Sequence, residues 1–295
     1  MREEIVQLHE AMEREAYVTD RATATAVYLA MTLRKPLLIE GHPGVGKTDV
    51  AKVLARALRT DLIRLQCYEG LDATTALYEW NYPKQLLHIR LEEGTSHTIE
   101  EKEATIFSEK FLLKRPLLQA ITHEGTAPVL LIDEVDRSDE EFEAFLLEVL
   151  SDFQVTIPEI GTIRATQHPS VVLTSNRSRE LSEALRRRCL YLWIDYPSLD
   201  KELAIVRRKV PGIGERLAAE VTSVMQSARR MKLAKTPGVA ETLDWAGALV
   251  ALHADHLDGD LVAETLGCFL KDEGDLRTFR AELEAGRLSA MASIG

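Results

Sequence analysis

The stretch "PLLIEGHPGVGKT" (residues 36–48) decides the architecture. Pro36 opens a short apolar run and Gly41 closes it, so residues 36–40 read as a buried strand. Residues 41–48 then satisfy G-x-x-x-x-G-K-[ST], and helical spacing takes over from about 47 to 59. Each residue type has a physical task. Glycines let successive N–H groups curl around phosphate oxygens, and the following helix turns its positive dipole end to the same anion. The expected cradle is Gly41, His42, Pro43, Gly44, Val45, Gly46, Lys47 and Thr48. Lys47 brings a point charge to the β- and γ-phosphates, and the Thr48 hydroxyl is placed to ligate Mg²⁺. His42 stands at a position the motif leaves variable and reads as exposed.

Outward from this loop, further apolar runs fall at 61–66, 128–133, 170–175 and 190–194, with helical segments between them at 20–34, 139–151 and 179–187. Buried strands alternating with helices predict an α/β fold, a parallel sheet with helices on both faces. Ser138 and Glu141 have the spacing of a capping box for the helix at 139. About sixty residues separate the strands at 66 and 128, far more than a crossover needs, so 67–115 reads as an insertion. It is acidic around Glu92–Glu109 and carries Tyr68, Tyr78, Trp80 and Tyr82. These aromatics either grip a substrate or pack the insertion. Two β-prone runs flank Pro158 and Gly161, predicting a hairpin over 153–165. After Pro197 strand-like runs stop and helical spacing continues, as in Ile213, Leu217, Val221, Val224 and Ala228. The expected domains are therefore 1–197 and an all-helical 198–295.

The second chemical element is "PVLLIDEVDR" (128–137). Its apolar residues carry Asp133 and Glu134 to the carboxyl end of a strand, where parallel sheets place ligand sites. Asp133 would hold Mg²⁺ and Glu134 would polarise an attacking water. The paired carboxylates favour ATP hydrolysis over phosphoryl transfer to a substrate. A third buried strand, "VVLTSN" (171–176), ends on Asn176, which can orient that water or touch the γ-phosphate.

Composition narrows the partners. The 295 residues include 47 acidic and 36 basic side chains, a net charge of −11, which disfavours diffuse binding to nucleic acid or anionic lipid. The three cysteines lack metal-ligand spacing and read as reduced thiols of a cytoplasmic protein, with Cys189 a buried structural thiol. No run approaches the ~18 apolar residues needed to span a bilayer, although attachment through a partner stays open. His253 and His256, near Asp255 and Asp258, have no identifiable third ligand for a metal and read as a solvated helix terminus.

The phosphate loop, "LLIDE", the Asn-ended strand, "ALRRRC" (184–189) and a helical C-terminal region, in that order, resemble the AAA+ ATPases. The hairpin and the long insertion are similar to those of the MoxR branch. Residues 65–91 and 180–197 look like the CoxD-type members that accompany carbon monoxide dehydrogenases. The resemblance implies a homo-oligomeric ring, a hexamer, with ATP and Mg²⁺ between subunits. It implies that Arg188 reaches a neighbour's γ-phosphate, with Arg187 assisting and Arg186 a solvent or interface charge. Tyr17 and Val18 correspond to the segment lining the adenine pocket. The implied role is chaperone-like maturation of a client metalloenzyme of the molybdenum-containing dehydrogenase type, with a von Willebrand A domain protein as partner. One departure stands out. Where the family often has Ser-Pro-Arg for nucleotide sensing, this chain reads Thr236-Pro237-Gly238. Thr236 and Pro237 still suit an N-cap and first helical residue, but the arginine is absent, leaving Lys235, Arg229 or Arg230 as substitutes. The rival readings are a ring motor or loader on nucleic acid and a nucleotide-gated binding module with little hydrolysis.

Overall fold

A computed structural model describes residues 3–92 and 98–285. Residues 93–97 of the expected insertion, and 1–2 and 286–295 at the ends of the expected domains, lie outside the described residues. In chain order the elements are α1 (Glu3–Arg14), α2 (Arg21–Leu33), β1 (Leu37–Gly41), α3 (Lys47–Leu58), β2 (Leu62–Gln66), α4 (Ala73–Leu77), β3 (Tyr78–Trp80), α5 (Tyr82–Leu91), α6 (Ile99–Ile106), β4 (Leu112–Lys114) and α7 (Pro116–Ile121). Then come β5 (Val129–Asp133), α8 (Glu140–Asp152), β6 (Gln154–Ile157), β7 (Gly161–Arg164), β8 (Ser170–Ser175), α9 (Glu183–Arg188) and β9 (Leu190–Ile194). Five helices follow: α10 (Leu199–Lys209), α11 (Glu215–Arg230), α12 (Val239–Ala251), α13 (Gly259–Thr265) and α14 (Glu273–Glu284).

Five strands form one sheet in the order β2-β5-β8-β1-β9. The β2/β5, β5/β8 and β8/β1 ladders are all parallel. Leu38, Leu130, Ile132, Val171 and Leu173 join one apolar cluster with Leu117, Leu118, Leu146 and Leu185. Side chains alternate along a strand, so Leu37, Ile39, Val129, Leu131 and Val172 face the other way, and they too are buried. Both faces of the sheet are therefore covered, as the near-continuous apolar strands require. Segment 67–115 folds as α4 to α6 with an antiparallel β3/β4 pair, and β6 pairs antiparallel with β7 across Pro158.

Packing divides the chain into two compact units. The first gathers Met1–Leu8, Arg21–Glu40 and Val50–Leu192; the second gathers His9–Asp20, Gly41–Asp49 and Trp193–Gly295. The loop residues Gly41–Asp49 thus belong to the same unit as the helical residues after Trp193. The core of the second unit is built on α10 to α14: Leu217, Val221, Met225 and Ala228 of α11 meet Trp245, Phe269 and Phe279. The Trp245 indole N–H donates to the Thr265 hydroxyl at 2.8 Å, which satisfies the only polar atom that side chain buries.

Three helix starts differ from the sequence reading. Asp139, not Ser138, caps α8, because its carboxylate accepts from the Phe142 N–H at 2.8 Å while the Ser138 hydroxyl donates back to the Val135 carbonyl. Helix α9 begins only at Glu183, capped by Ser182. Helix α12 begins at Val239 with Gly238 as its cap, two residues beyond the expected Pro237.

One charge is fully enclosed in the second unit. Glu202 is 0% exposed and accepts from Arg229 Nη1 at 2.5 Å, Arg229 Nη2 at 2.6 Å, Thr242 Oγ1 at 2.6 Å and Gln226 Nε2 at 2.7 Å. Those four bonds use all the acceptor capacity of the carboxylate. Removing the cation alone would leave a bare buried charge, so Arg229→Ala should cost about 3–5 kcal/mol, measured by urea unfolding.

Candidate active site

The residues that the sequence singles out fall in two groups, one in each unit. In the second unit, β1 ends at Gly41 and the loop turns through Gly44 (φ +74°) and Gly46 (φ +93°) into α3. Left-handed backbone at both points explains why glycine stands there. Gly41 has a different reason: a Cβ would lie 2.1 Å from the Ile194 carbonyl oxygen. Lys47 is buried, and its ammonium donates to the carbonyls of Gly41 at 2.8 Å and His42 at 2.7 Å, so the loop wraps its own cation. In the first turn of α3, Asp49 pairs with Lys209 at 2.5 Å.

His42 is half-exposed yet well located. Its ring stacks on Tyr196 with centroids 4.6 Å apart, meets Trp193 edge-on at 5.6 Å, and lies 3.8 Å from the Asp195 carboxylate. Tyr17 and Val18, both half-buried, follow α1 in the same unit, with the Tyr17 N–H donating to Met12 O at 3.2 Å. Burial, with Asp49 and Asp20 adding to it, pushes the Tyr17 phenol well above its usual range, so it stays a neutral donor.

In the first unit, β5 delivers Asp133 and Glu134 to the carboxyl edge of the sheet. Asp133 is buried; it accepts from the Thr174 hydroxyl on β8 and from Arg64 on β2 at 2.6 and 3.0 Å. Glu134 turns left-handed (φ +54°), an uncommon conformation for a non-glycine residue, and its N–H donates to Thr174 Oγ1 at 2.9 Å. The single hydroxyl of Thr174 therefore ties both carboxylate residues to β8. The Glu134 carboxylate accepts from Gln66 at 3.0 Å and Arg137 at 3.2 Å, and Asn176 Nδ2 lies 3.5 Å from its Oε1. Buried Asp136 holds the turn after β8 by accepting from the N–H groups of Asn176 at 3.2 Å and Ser178 at 2.8 Å.

The arginines ending α9 part company. Arg187 pairs with Glu183 at 2.5 Å, and Arg186 sits over the Tyr191 ring at 5.9 Å. Arg188 is exposed and has no partner among the described residues. Arg229, one of the substitutes for the missing sensing arginine, is consumed by Glu202. Of the insertion's aromatics, Trp80 is buried against Phe107, Tyr78 is half-buried beside it, and Tyr68 and Tyr82 are exposed. Among the described residues no group of three metal-ligating side chains forms, at His253 and His256 or elsewhere.

The sequence reading named Asp133, Glu134 and Asn176, which lie together at this edge, but not Arg64, Gln66 and Thr174, which bond to the two carboxylate residues. The signal for Arg64 was present: a charged residue inside an otherwise apolar strand, "DLIRLQ", needs a partner on the neighbouring strand.

Residues 37–193, more than half of the chain, match the ATPase family associated with various cellular activities (AAA). The chain belongs to this family and is an ATPase using ATP and Mg²⁺. The residues suit both groups: in the second unit a glycine turn around a buried lysine suits a polyphosphate, and in the first the Asp133 carboxylate is an oxygen donor of the kind a hard divalent cation takes. The Holliday junction branch migration complex subunit RuvB of Thermosipho melanesiensis is 27% identical over 179 residues, 58% of this chain and 44% of that protein. RuvB of Thermotoga maritima is 24% identical over 246 residues, 81% of this chain and 61% of that protein. The chain thus spans less than two thirds of either RuvB. An uncharacterized protein of Staphylococcus epidermidis is 26% identical over 206 residues, 68% of this chain and 70% of its own. In fold, a Thermotoga maritima RuvB mutant aligns with a TM-score of 0.51 at 21% identity, covering 94% of this chain and 82% of its own. A structure of an ATPase candidate from Cytophaga hutchinsonii gives 0.50 at 15%, covering 97% and 94%.

The thiols beside this machinery are silent. Burial, reinforced by Asp133, Asp136 and Glu134, pushes Cys67 from 9.0 to about 12, and burial alone takes Cys189 to about 12. A raised folded pKa binds the proton more tightly than the unfolded chain does. Stability should therefore fall as pH climbs from about 9 toward 12, and at pH 8 neither thiol should react with a disulfide reagent until the protein is unfolded. Thiol titration with and without denaturant checks both residues.

Proposed function

We propose that this chain is a ring-forming AAA+ ATPase of the MoxR kind, using ATP hydrolysis to remodel a client protein. In this reading residues 41–48 hold the triphosphate, with Lys47 on the β- and γ-phosphates, and Tyr17 and Val18 line the adenine. Thr48 and Asp133 hold Mg²⁺, which would neutralise phosphate charge when bound. Glu134 takes the proton of the attacking water, and Asn176 orients that water or the glutamate itself. Arg188 acts on ATP held by the neighbouring subunit. The observation that carries the reading is Arg188 itself: an exposed guanidinium with no ion pair among the described residues, beside two arginines that have partners. An active site completed by the next copy would use a guanidinium that its own chain leaves exposed at the end of α9.

The client, a metalloenzyme of the molybdenum-containing dehydrogenase type served together with a von Willebrand A domain partner, is supported by the resemblance of residues 65–91 and 180–197 to CoxD-type proteins. A cytoplasmic setting accords with the absence, among the described residues, of any helix long and apolar enough to cross a membrane. The names of the RuvB relatives favour a second reading, a motor on DNA. Net charge −11 opposes it, and stimulation of phosphate release by branched DNA would establish it.

Glu134→Gln should keep ATP bound and lower turnover at least ~10²-fold. Arg188→Ala should also keep ATP bound and lower turnover ~10³-fold or more. Mixing the two inactive variants tests the shared site. About a quarter of the interfaces in a randomly mixed ring pair an intact Glu134 with an intact Arg188, so phosphate release should reappear. A mixture as inactive as its components would place the arginine's role elsewhere.

A further inference from the structure

Gly238 occupies the place where the resemblance leads one to expect an arginine, and its surroundings explain why no side chain can stand there. A Cβ at 238 would lie 2.8 Å from the Pro43 carbonyl oxygen and 3.0 Å from both C and Cα of Gly44. From the other side, a Cβ on Gly44 would lie 3.3 Å from the Gly238 Cα and 3.1 Å from Glu241 Oε2. Two bare backbones thus meet face to face. The Gly44 carbonyl accepts the N–H groups of Val239 at 3.0 Å and Ala240 at 3.1 Å. Those N–H groups open α12 and have no partner inside the helix.

We propose that α12 positions the phosphate loop through this peptide clamp, with Gly238 as the positioning residue. The clamp takes over the nucleotide coupling that an arginine would otherwise supply. The peptide between Gly44 and Val45 is planar and trans, so its carbonyl and its N–H point in opposite directions. Holding the Gly44 oxygen on α12 therefore aims the Val45 N–H away from α12, back into the loop. The clamp is itself anchored. Glu241 accepts the Gly238 N–H at 2.8 Å, and Arg229 donates to the Pro237 carbonyl at 2.8 Å while bound to buried Glu202. A displacement of α12 rotates the 44–45 peptide, and a phosphate held by Val45 resists that rotation. The inference rests on the reading that residues 41–48 hold the triphosphate.

Three variants of the full chain test it, with KM, kcat and the melting temperature measured with and without ATP. Gly238→Ala pushes the two backbones apart. Val239→Pro removes one donor at the first helical position, where proline is tolerated, and Gly238 already has the extended backbone (φ −89°, ψ −170°) that precedes proline. Val239→Ala trims a buried side chain but keeps both donors. The expected result is a KM for ATP raised about tenfold in Gly238→Ala and Val239→Pro with kcat within about twofold, the loss of one hydrogen bond to the loop. The rise in melting temperature on adding ATP should shrink in the same two variants, and Val239→Ala should keep the wild-type KM. Wild-type KM in Gly238→Ala and Val239→Pro, or an equal rise in Val239→Ala, would overturn the clamp. Lys47→Ala separates the two levels. If it still binds ATP, the reading of the loop fails and the clamp with it; if it loses ATP while the clamp variants bind normally, only the clamp fails.

Discussion

Parallel pairing of β2, β5, β8 and β1 is the constraint on which the chemistry depends. In register, Glu40 of β1 lies beside Ser175 of β8, and Gln66 of β2 beside Asp133 of β5. Each of these four strands therefore reaches polar residues at the same edge of the sheet. Four apolar side chains in β5 and the apolar run of β8 bury the sheet on both faces, and water is met only where those runs end. Asp133, Glu134, Thr174 and Asn176 are polar because that edge is where polarity can be tolerated. They are mutually within reach because the strands share a direction.

Burying a carboxylate is expensive unless each of its lone pairs finds a donor. The molecule meets that cost in two ways. Asp133 takes a hydroxyl from β8 and a guanidinium from β2, which holds its orientation. Glu202, by contrast, is saturated by four donors and has no capacity left for a ligand. A buried carboxylate is thus tied across neighbouring strands in one unit and enclosed within the helical core in the other. Arg229 follows Glu202, and that explains why it offers nothing to a nucleotide.

The phosphate loop shows how close backbone approach selects glycine for more than one reason. Gly44 and Gly46 turn left-handed, Gly41 yields to the carbonyl of Ile194, and Gly238 yields to the loop itself. His42, free to vary by motif, is held by stacking on Tyr196, whose other neighbour is the Arg229 guanidinium 5.1 Å from its ring. A continuous path of contacts therefore runs from buried Glu202 to the loop.

Most of the fold was legible without coordinates. The strands at 37–41, 62–66, 129–133, 170–175 and 190–194 stand within a residue of their apolar runs. The reason is that the central strands β1, β5 and β8 are buried on both faces and must be apolar along most of their length, while the edge strands β2 and β9 still turn apolar residues to the core. The phosphate loop was legible because its parts are contiguous: spacing along the chain is spacing in space. Helix starts were less so. Ser138 and Asp139 are equally good caps by composition, and only the backbone path chooses between them. What the tertiary structure alone decided are the partnerships across long separations. Arg64 reaches Asp133 over 69 residues, and Thr174 over 41. Gly238 meets Gly44 from the far side of the chain. The sequence by itself determined the class of chemistry, an ATPase loop with paired carboxylates on a parallel sheet. Which side chains orient those carboxylates, and why glycine stands where an arginine was expected, depended on contacts that no local spacing encodes.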